Sequence, residues 1–273
     1  MKKWIVGCVG LLLVGTGVFF LMPWESNGII PEGMVEIPSG INTGTDPDFG
    51  AYSLTNAAVF YMDKYEVTKV RWDTVYNWAV TNGYSFDNAG LGKASDHPVH
   101  TVNWYDCVKW CNARSQMEGK TPCYNLSTWS CDFNANGYRL PTNTEWEYAA
   151  RGGLRGKRFP WGDTINHNHA NYFANGSAYS YDTSSYTSYT CHPSYAVGGT
   201  PYTSPVGSFS SNGYGLYDMS GNVREWCNTA SGSNRAARGG CWLDTADYAR
   251  CIVKGLRDSD YEGADIGIRA VCR

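Results

Sequence analysis

The stretch YRLPTNTEWEYAARGG, residues 138–153, carries the clearest local structural signal in this chain. Thr142 and Glu145 form the S/T-x-x-E pattern of a capping box, in which two side chains accept hydrogen bonds from backbone N–H groups at a helix start. Trp146 and Ala149 follow at three-residue spacing and would share one core-facing side of the helix. The glycines at 152 and 153 then end it. The stretch therefore predicts a short amphipathic helix.

Two further helices are predicted upstream. Asn103 is placed to cap one that ends at Gly119, and Thr68 caps another that runs to about Val80 and ends at Gly83. Their predicted core-facing positions are Val70, Val75, Trp78, Ala79, Trp104, Cys107, Val108, Cys111 and Ser115. Short strands are expected at 34–37 and 59–62. Beyond residue 155 no long helical period occurs, so the C-terminal half is expected to consist of turns and short strands.

The composition indicates a folded chain that is rich in loops. Hydrophobic residues make up 42% and charged residues 17%, which is a globular balance. The chain contains 11 Trp, 20 Tyr and 31 Gly, a combination typical of irregular folds held together by large rings. The net charge is -3 and no run of Lys or Arg stands out. Because phosphate binding needs clustered positive charge, we expect no nucleic-acid partner.

The N-terminus predicts export. Lys2 and Lys3 precede an apolar stretch from about Trp4 to Trp24, close to the roughly 20 residues that span a bilayer. The lysines should stay in the cytoplasm, which places the remainder outside. We therefore divide the chain into a signal anchor or cleaved signal peptide at 1–26 and one domain at 27–273. The domain is expected to be extracytoplasmic, either anchored to the membrane or secreted.

Cysteine usage agrees with an oxidising compartment. Nine of the ten cysteines follow the apolar stretch, where disulfides can persist. Proximity in sequence favours two pairs, Cys123 with Cys131 and Cys241 with Cys251, although the connectivity stays open. Because nine is odd, at least one of these thiols is expected to be free or to pair with another chain.

Several motifs in a fixed order make the chain resemble the formylglycine-generating enzyme, or sulfatase-modifying factor, family over residues 33–273. Besides the stretch at 138–153, they are EVT at 66–68, HPV at 97–99, VNW at 102–104, PWGD at 160–163, SPVGSF at 204–209, NGYGLYDMSGNVREW at 212–226, RGGCW at 238–242 and GIR at 267–269. The resemblance implies an α+β fold that is C-type-lectin-like, low in regular secondary structure and rich in loops.

The resemblance also locates the family's oxidation chemistry, and this chain lacks its ligands. Family members that oxidise cysteine bind copper through two cysteines, and the matching positions here are Asp244 and Ala249. A carboxylate is a hard ligand and alanine is none, whereas Cu(I) prefers soft thiolates. Cys241 and Cys251 flank these positions. They could form a displaced copper-binding thiol pair or a structural disulfide between adjacent strands.

Calcium sites are implied in two places by the same resemblance. The first would use the side chains of Asp218 and Glu225 with the carbonyls of Gly221 and Val223, since Ca²⁺ prefers hard oxygen ligands. The alternative is a turn with two solvated carboxylates. The second would use Asn171 and the carbonyl of Tyr172. Its acidic partner falls near Gly198 and is missing, although Asp182 could replace it.

Two other patterns have competing interpretations. The histidines at 97, 100, 167 and 169 could suggest a metal site, but without supporting carboxylate spacing we expect ordinary structural or surface roles. The stretch at 176–190 interleaves tyrosines with Ser and Thr, as recognition loops do. It is either a binding loop or a mobile low-complexity insertion.

These observations lead to two expectations of function. The first is an exported, membrane-anchored and calcium-stabilised module that binds a protein, peptide or glycan. The alternative is an oxidase that uses copper and oxygen to convert a cysteine of exported sulfatases to formylglycine.

Overall fold

The computed structural model describes residues 30–197 and 200–273. The expected signal anchor or signal peptide at 1–26 lies outside the described residues. Among the residues that are described, no helix has both the length and the apolar character needed to cross a membrane.

All three predicted helices are present. They are α1 (Lys69–Thr81), α2 (Trp104–Met117) and α3 (Asn143–Ala150). Each begins directly after its predicted cap, Thr68, Asn103 or Thr142, whose side chain accepts a hydrogen bond from the backbone N–H three residues further on. In α2 and α3 the reciprocal bond of the capping box also forms.

The strands are short, as expected for a loop-rich α+β fold. They are β1 (Met34–Ile37), β2 (Gly40–Asp46), β3 (Gly50–Asn56), β4 (Phe60–Asp63), β5 (Ala196–Val197), β6 (Thr200–Pro201), β7 (Arg224–Ser231), β8 (Asn234–Arg238), β9 (Lys254–Asp258), β10 (Ile266–Gly267) and β11 (Val271–Cys272). They form sheets in the orders β1-β4-β11 and β10-β7-β8-β9, with two hairpins, β2-β3 and β5-β6. Only the pairing of β10 with β7 is parallel within these described strands.

The strand predictions were right for β1 and one residue early for β4. The hairpin of β2 and β3 was missed. Its first strand reads GINTGTD, which offers few apolar side chains, so the alternation that reveals a strand is weak. The hairpin is held by seven cross-strand residue pairs from Gly40–Asn56 to Asp46–Gly50 instead.

The largest core cluster lies between α1 and α2. Trp72 and Trp110 stack there with ring centroids 5.6 Å apart. Trp72 was not among the predicted core positions, and Val70, which was, is 55% exposed. The helix turns by about 100° per residue, so Val70 lies far from the face that Val75 and Ala79 bury.

The stretch at 176–190 is packed against the protein. Tyr179, Tyr181 and Tyr186 lie against a third core cluster that includes Phe159. Asp182 organises the stretch by accepting hydrogen bonds from the Tyr172 hydroxyl at 2.8 Å and from the backbone N–H groups of residues 175 and 184. Most tyrosines of the predicted binding loop therefore serve packing, and Tyr189, 49% exposed, is the exception.

Candidate functional site

Asp244, at the predicted position of the family's first copper cysteine, belongs to a buried ionic cluster. Asp244 follows β8 in the loop at 239–251, and its carboxylate pairs with the Arg224 guanidinium at the start of β7. Arg224 also pairs with Asp265. The second Asp244 oxygen accepts a hydrogen bond from the Cys241 backbone N–H at 3.0 Å. The carboxylate is thus engaged by a fixed cation and a backbone donor.

Ala249, at the predicted position of the second copper cysteine, is buried in the third core cluster, and its methyl group is no metal ligand. Its carbonyl accepts a hydrogen bond from the Ser220 hydroxyl at 2.7 Å. No soft ligand therefore comes from either position.

The two flanking thiols lie in different surroundings. Cys241 lies among Arg224, Asp244 and Asp265, and burial raises the pKa of its thiol well above the usual value. Cys251 is also buried, which raises its pKa to about 12, and the charges nearest to it are those of Arg151, Glu147 and Arg238. Because the charged neighbours of the two thiols differ, nothing in this arrangement points to a shared copper site.

All nine cysteines of the described residues carry free thiols. The predicted disulfides Cys123–Cys131 and Cys241–Cys251 are therefore absent from this structure. For the second pair the reason is spatial, because the two thiols have different neighbours. Cys123 and Cys131 lie on facing segments, where the Cys123 carbonyl accepts the Asp132 N–H at 2.7 Å, but their sulfur atoms are not bonded.

Apolar side chains lie on the segments that carry this ionic cluster and on those bonded to it. We call them the apolar rim: Phe173, Tyr189, Trp242, Leu243, Tyr248 and Tyr261, of which Phe173 and Trp242 are partly buried and the other four are exposed. The Phe173 N–H donates to the Asp244 carbonyl at 2.8 Å, and its ring stacks on Tyr189 at 5.4 Å. The Tyr261 hydroxyl donates to Asp265 at 2.8 Å. Leu243 and Tyr248 are about half exposed. Clustered exposed apolar groups of this kind mark interaction surfaces.

The predicted calcium run, from Asp218 to Glu225, is also buried. One Asp218 oxygen accepts a hydrogen bond from the Gly207 N–H at 2.6 Å, while the other is buried without a partner within the described residues. Burial raises the pKa of Asp218 to about 6. Glu225 accepts from the Trp146 indole N–H at 2.6 Å and pairs with Arg269 at 2.7 Å.

Sequence reasoning missed a third carboxylate beside this run. Glu66, in the loop after β4, accepts hydrogen bonds from the Asn222 amide at 2.6 Å and the Val223 N–H at 3.1 Å. Burial, followed by the charges of Asp218 and Glu225, raises its pKa well above the usual value. Its place in the EVT motif at 66–68 was the only sequence signal, because 156 residues separate it from Asn222.

The local charge balance fits a divalent cation. Three carboxylates face one guanidinium, that of Arg269, which leaves two negative charges uncompensated when all are ionised. The unpartnered oxygen of Asp218 is a free hard ligand, and the Glu225 oxygen bound to Trp146 retains a lone pair. No group of three or more His, Cys, Asp or Glu side chains in the described residues is arranged to hold a metal ion. Carbonyls such as those of Gly221 and Val223 would have to complete the ligand set.

The second predicted calcium position fits less well. The Tyr172 carbonyl lies 3.1 Å from His167 Nε2 and accepts a hydrogen bond from it when that nitrogen carries a hydrogen. The Asn171 amide nitrogen donates to the Tyr202 carbonyl at 2.9 Å. Asp182, the suggested substitute ligand, is used by the bonds that order its own loop. The Tyr172 carbonyl, the Asn171 side chain and Asp182 are therefore all engaged in hydrogen bonds within the protein.

The four histidines singled out from sequence each make a hydrogen bond within the protein. His97 contacts the Thr203 hydroxyl at 2.8 Å and His100 contacts the Thr101 hydroxyl at 2.9 Å. His169 accepts from the Asn166 N–H at 3.3 Å. Burial lowers the pKa of His167 to about 4, so this side chain is neutral under ordinary conditions.

Comparison with known proteins identifies the family. The chain matches the model of the sulfatase-modifying factor enzyme 1-like domain over residues 25–273, and it belongs to this family. It is 30% identical to the chaperone protein LppX of Paenibacillus barcinonensis, over 99% of each chain. The solved structure of CarF, 27% identical, superposes with a TM-score of 0.68 over 89% of this chain and 99% of CarF. The predicted fold class is confirmed.

The family also includes proteins named for opposite catalytic states. The formylglycine-generating enzyme of Mus musculus is 29% identical over 71% of this chain and 48% of its own length. The inactive C-alpha-formylglycine-generating enzyme 2 of Bos taurus is 34% identical over 66% of this chain and 52% of its own length. This chain spans about half the length of each. Membership alone therefore does not assign oxidase activity.

Proposed function

We propose that this protein is a non-oxidising member of the family that binds non-native segments of exported polypeptides through the apolar rim. The observation that carries the proposal is the ion pair of Asp244 with Arg224 at the place where a copper thiolate would be needed. A carboxylate fixed by a guanidinium supplies neither a soft ligand nor a redox group. The loop at 239–251 therefore offers no thiolate at positions 244 and 249, while Leu243 and Tyr248 beside them are about half exposed.

The chemistry of the rim suits polypeptide binding. Tyrosine and tryptophan offer large contact areas at a low cost in side-chain entropy, and they are enriched at binding hot spots. Tyr189, Leu243 and Tyr248 are each about half exposed, so a partner could remove much of their apolar surface from water. The chain is similar to LppX, which is named a chaperone, over nearly the whole length of both proteins. This similarity supports a polypeptide as the partner. The N-terminal apolar stretch would place the rim outside the cytoplasm, on a membrane-anchored or secreted protein.

A binding assay with an unfolded polypeptide tests the proposal. Labelled, reduced and carboxymethylated α-lactalbumin is titrated with the protein, and binding is followed by fluorescence anisotropy. Removing two rim anchors with Leu243→Ser/Tyr248→Ser should weaken binding by at least about tenfold, since hot-spot residues each contribute more than about 1 kcal/mol. Leu91→Ser removes an equally exposed leucine elsewhere and should change nothing. Equal binding by the rim variant and the wild type would contradict the proposal.

The oxidase alternative is tested separately. A cysteine-containing sulfatase peptide is incubated with the protein, copper and oxygen, and aldehyde formation is measured by mass spectrometry. We expect no conversion above the protein-free control. Conversion that depends on Cys241 or Cys251 would replace our proposal with the oxidase.

We further propose that calcium stabilises the protein at Asp218. The cation would contact the unpartnered Asp218 oxygen and relieve the repulsion among Glu66, Asp218 and Glu225. A ligand at one hundred times its Kd stabilises a fold by about 2.7 kcal/mol, so EDTA should lower the Tm and calcium should restore it. Asp218→Asn should remove this response, while Asp163→Asn, at an exposed ion pair, should retain it. A Tm of the wild type that is indifferent to EDTA would count against calcium.

A further inference from the structure

A second recess lies away from the apolar rim, between the end of α1, one side of α2 and the loop at 123–131. Its volume is about 510 Å³, within the range of roughly 300–1,000 Å³ that is usual for small-molecule sites. It is lined by Asn82, Gly83, Tyr84, Ser85, Lys109, Gln116, Leu126 and Trp129. Neither the predicted metal sites nor the loop at 239–251 contributes to it.

Trp129 is held in the recess by an unusual backbone conformation. Its φ is 59°, in the left-handed region that bulky residues rarely adopt. Its N–H donates to the Asn125 carbonyl at 2.7 Å, and the Asn125 side chain accepts from the N–H groups of Ser127 and Thr128. Strained residues that neighbouring bonds hold in place concentrate at functional sites.

The loop that carries Trp129 is anchored to α2. The Asn112 side chain donates to the Tyr124 carbonyl at 2.7 Å and accepts from the Tyr124 N–H at 3.0 Å. The Trp129 ring packs against Tyr105 of α2, with centroids 4.7 Å apart. The ring is thus fixed before any ligand arrives, which lowers the entropic cost of binding.

Apart from Leu126 and Gly83, the other lining residues carry polar side chains, and none of these has an unpaired charge. The Tyr84 hydroxyl donates to the Gln116 side-chain carbonyl at 3.0 Å, which leaves the Gln116 amide nitrogen available to a ligand. The lining also includes the exposed side chains of Asn82 and Ser85. Lys109 is the single charged lining residue and lies 3.6 Å from Asp87. Neutral donors and acceptors beside aromatic rings suit a ligand that has both C–H faces and hydroxyl groups.

We infer that this recess binds a neutral oligosaccharide, with a sugar ring against Trp129 and its hydroxyl groups bonded to Gln116, Asn82 and Ser85. A peptide could pack against Trp129 and Tyr84, but it would form fewer hydrogen bonds with the polar lining side chains. An anionic glycan would need a free cation, and Lys109 is paired. The inference is independent of polypeptide binding at the apolar rim.

Saturation-transfer NMR on the full chain tests the inference, with cellotriose, chitotriose and maltotriose as probes. We expect at least one trisaccharide to receive saturation from the wild type. Trp129→Gly removes the ring yet keeps a residue that adopts φ of 59° without strain, and it should weaken binding by at least about tenfold. Gln116→Ala should weaken it less. Tyr189→Ala, on the apolar rim, serves as the control and should bind like the wild type.

Three outcomes would overturn the inference. They are no saturation transfer to any of the three sugars, equal binding by Trp129→Gly and the wild type, and loss of the signal in Tyr189→Ala. Circular dichroism of Trp129→Gly checks that the fold survives. If Trp129→Gly weakens α-lactalbumin binding instead, the recess belongs to a polypeptide surface.

Discussion

At the scale of single residues, Arg224 decides what the loop at 239–251 can do. It holds Asp244 and Asp265 together at a site from which most water is excluded. Removing one partner from a buried ion pair typically costs about 3–5 kcal/mol, because the other charge is left uncompensated. Here two carboxylates would lose their shared cation.

We therefore expect Arg224→Met to destabilise the fold by about 3–5 kcal/mol. Urea denaturation measures the change. Lys157→Met breaks the exposed ion pair with Asp163 and should cost less than about 1 kcal/mol. Similar losses in the two variants would show that the Arg224 cluster is not a structural unit.

Because His167 is largely buried, we expect the free energy of unfolding to depend on pH. Its pKa is lowered from 6.5 to about 4, chiefly by burial. Between these values the unfolded chain binds more protons than the folded one, so stability is lost as the pH falls from about 6.5 to 4. After a discount for its partial exposure, the contribution is about 1–2 kcal/mol. His167→Gln, which can still donate to Tyr172, should lose less Tm than the wild type between pH 7 and pH 5; parallel losses would contradict this assignment.

At the scale of elements, α3 depends on its first turn. Thr142 accepts from the Glu145 N–H at 3.1 Å, and Glu145 both accepts from the Thr142 N–H at 2.8 Å and pairs with buried Arg139. Thr142→Ala removes a cap and should cost about 1 kcal/mol. Glu145→Ala also leaves Arg139 buried without its partner and should cost about 3 kcal/mol or more. Chemical denaturation measures both, with Thr142→Ser as the control; equal losses for the two alanine variants would contradict the role of Arg139.

At the scale of the whole molecule, the thiols report on both folding and oxidation. Seven of the nine cysteines in the described residues are buried, and Cys131 and Cys191 are partly exposed. In a Cys8→Ser variant we expect two thiols to react quickly with Ellman's reagent in the native state. All nine should react in guanidinium chloride. A denatured count of seven would reveal one disulfide and contradict the free-thiol arrangement.

The sequence by itself determined the three helices and the family, and it predicted that the copper cysteines are missing. Helix starts are encoded within a few residues, since Thr142 and Asn103 each bond to a backbone group three positions away. The motif order at 138–153 and 212–226 could be read without coordinates. For the same reason the resemblance could be used to predict Asp244 and Ala249 at the two copper positions.

Only the tertiary structure decided what surrounds those residues. Glu66 accepts a hydrogen bond from Asn222, 156 positions away. Arg224 forms ion pairs with both Asp244 and Asp265. Trp129 and Tyr84 line the same recess. The tertiary structure also gave Cys241 and Cys251 different neighbours, and it packed the partly buried Tyr179, Tyr181 and Tyr186 against the third core cluster. Local patterns specify the backbone over one or two turns. Charge compensation, thiol pairing and cavity walls depend on side chains that meet only when distant segments pack together.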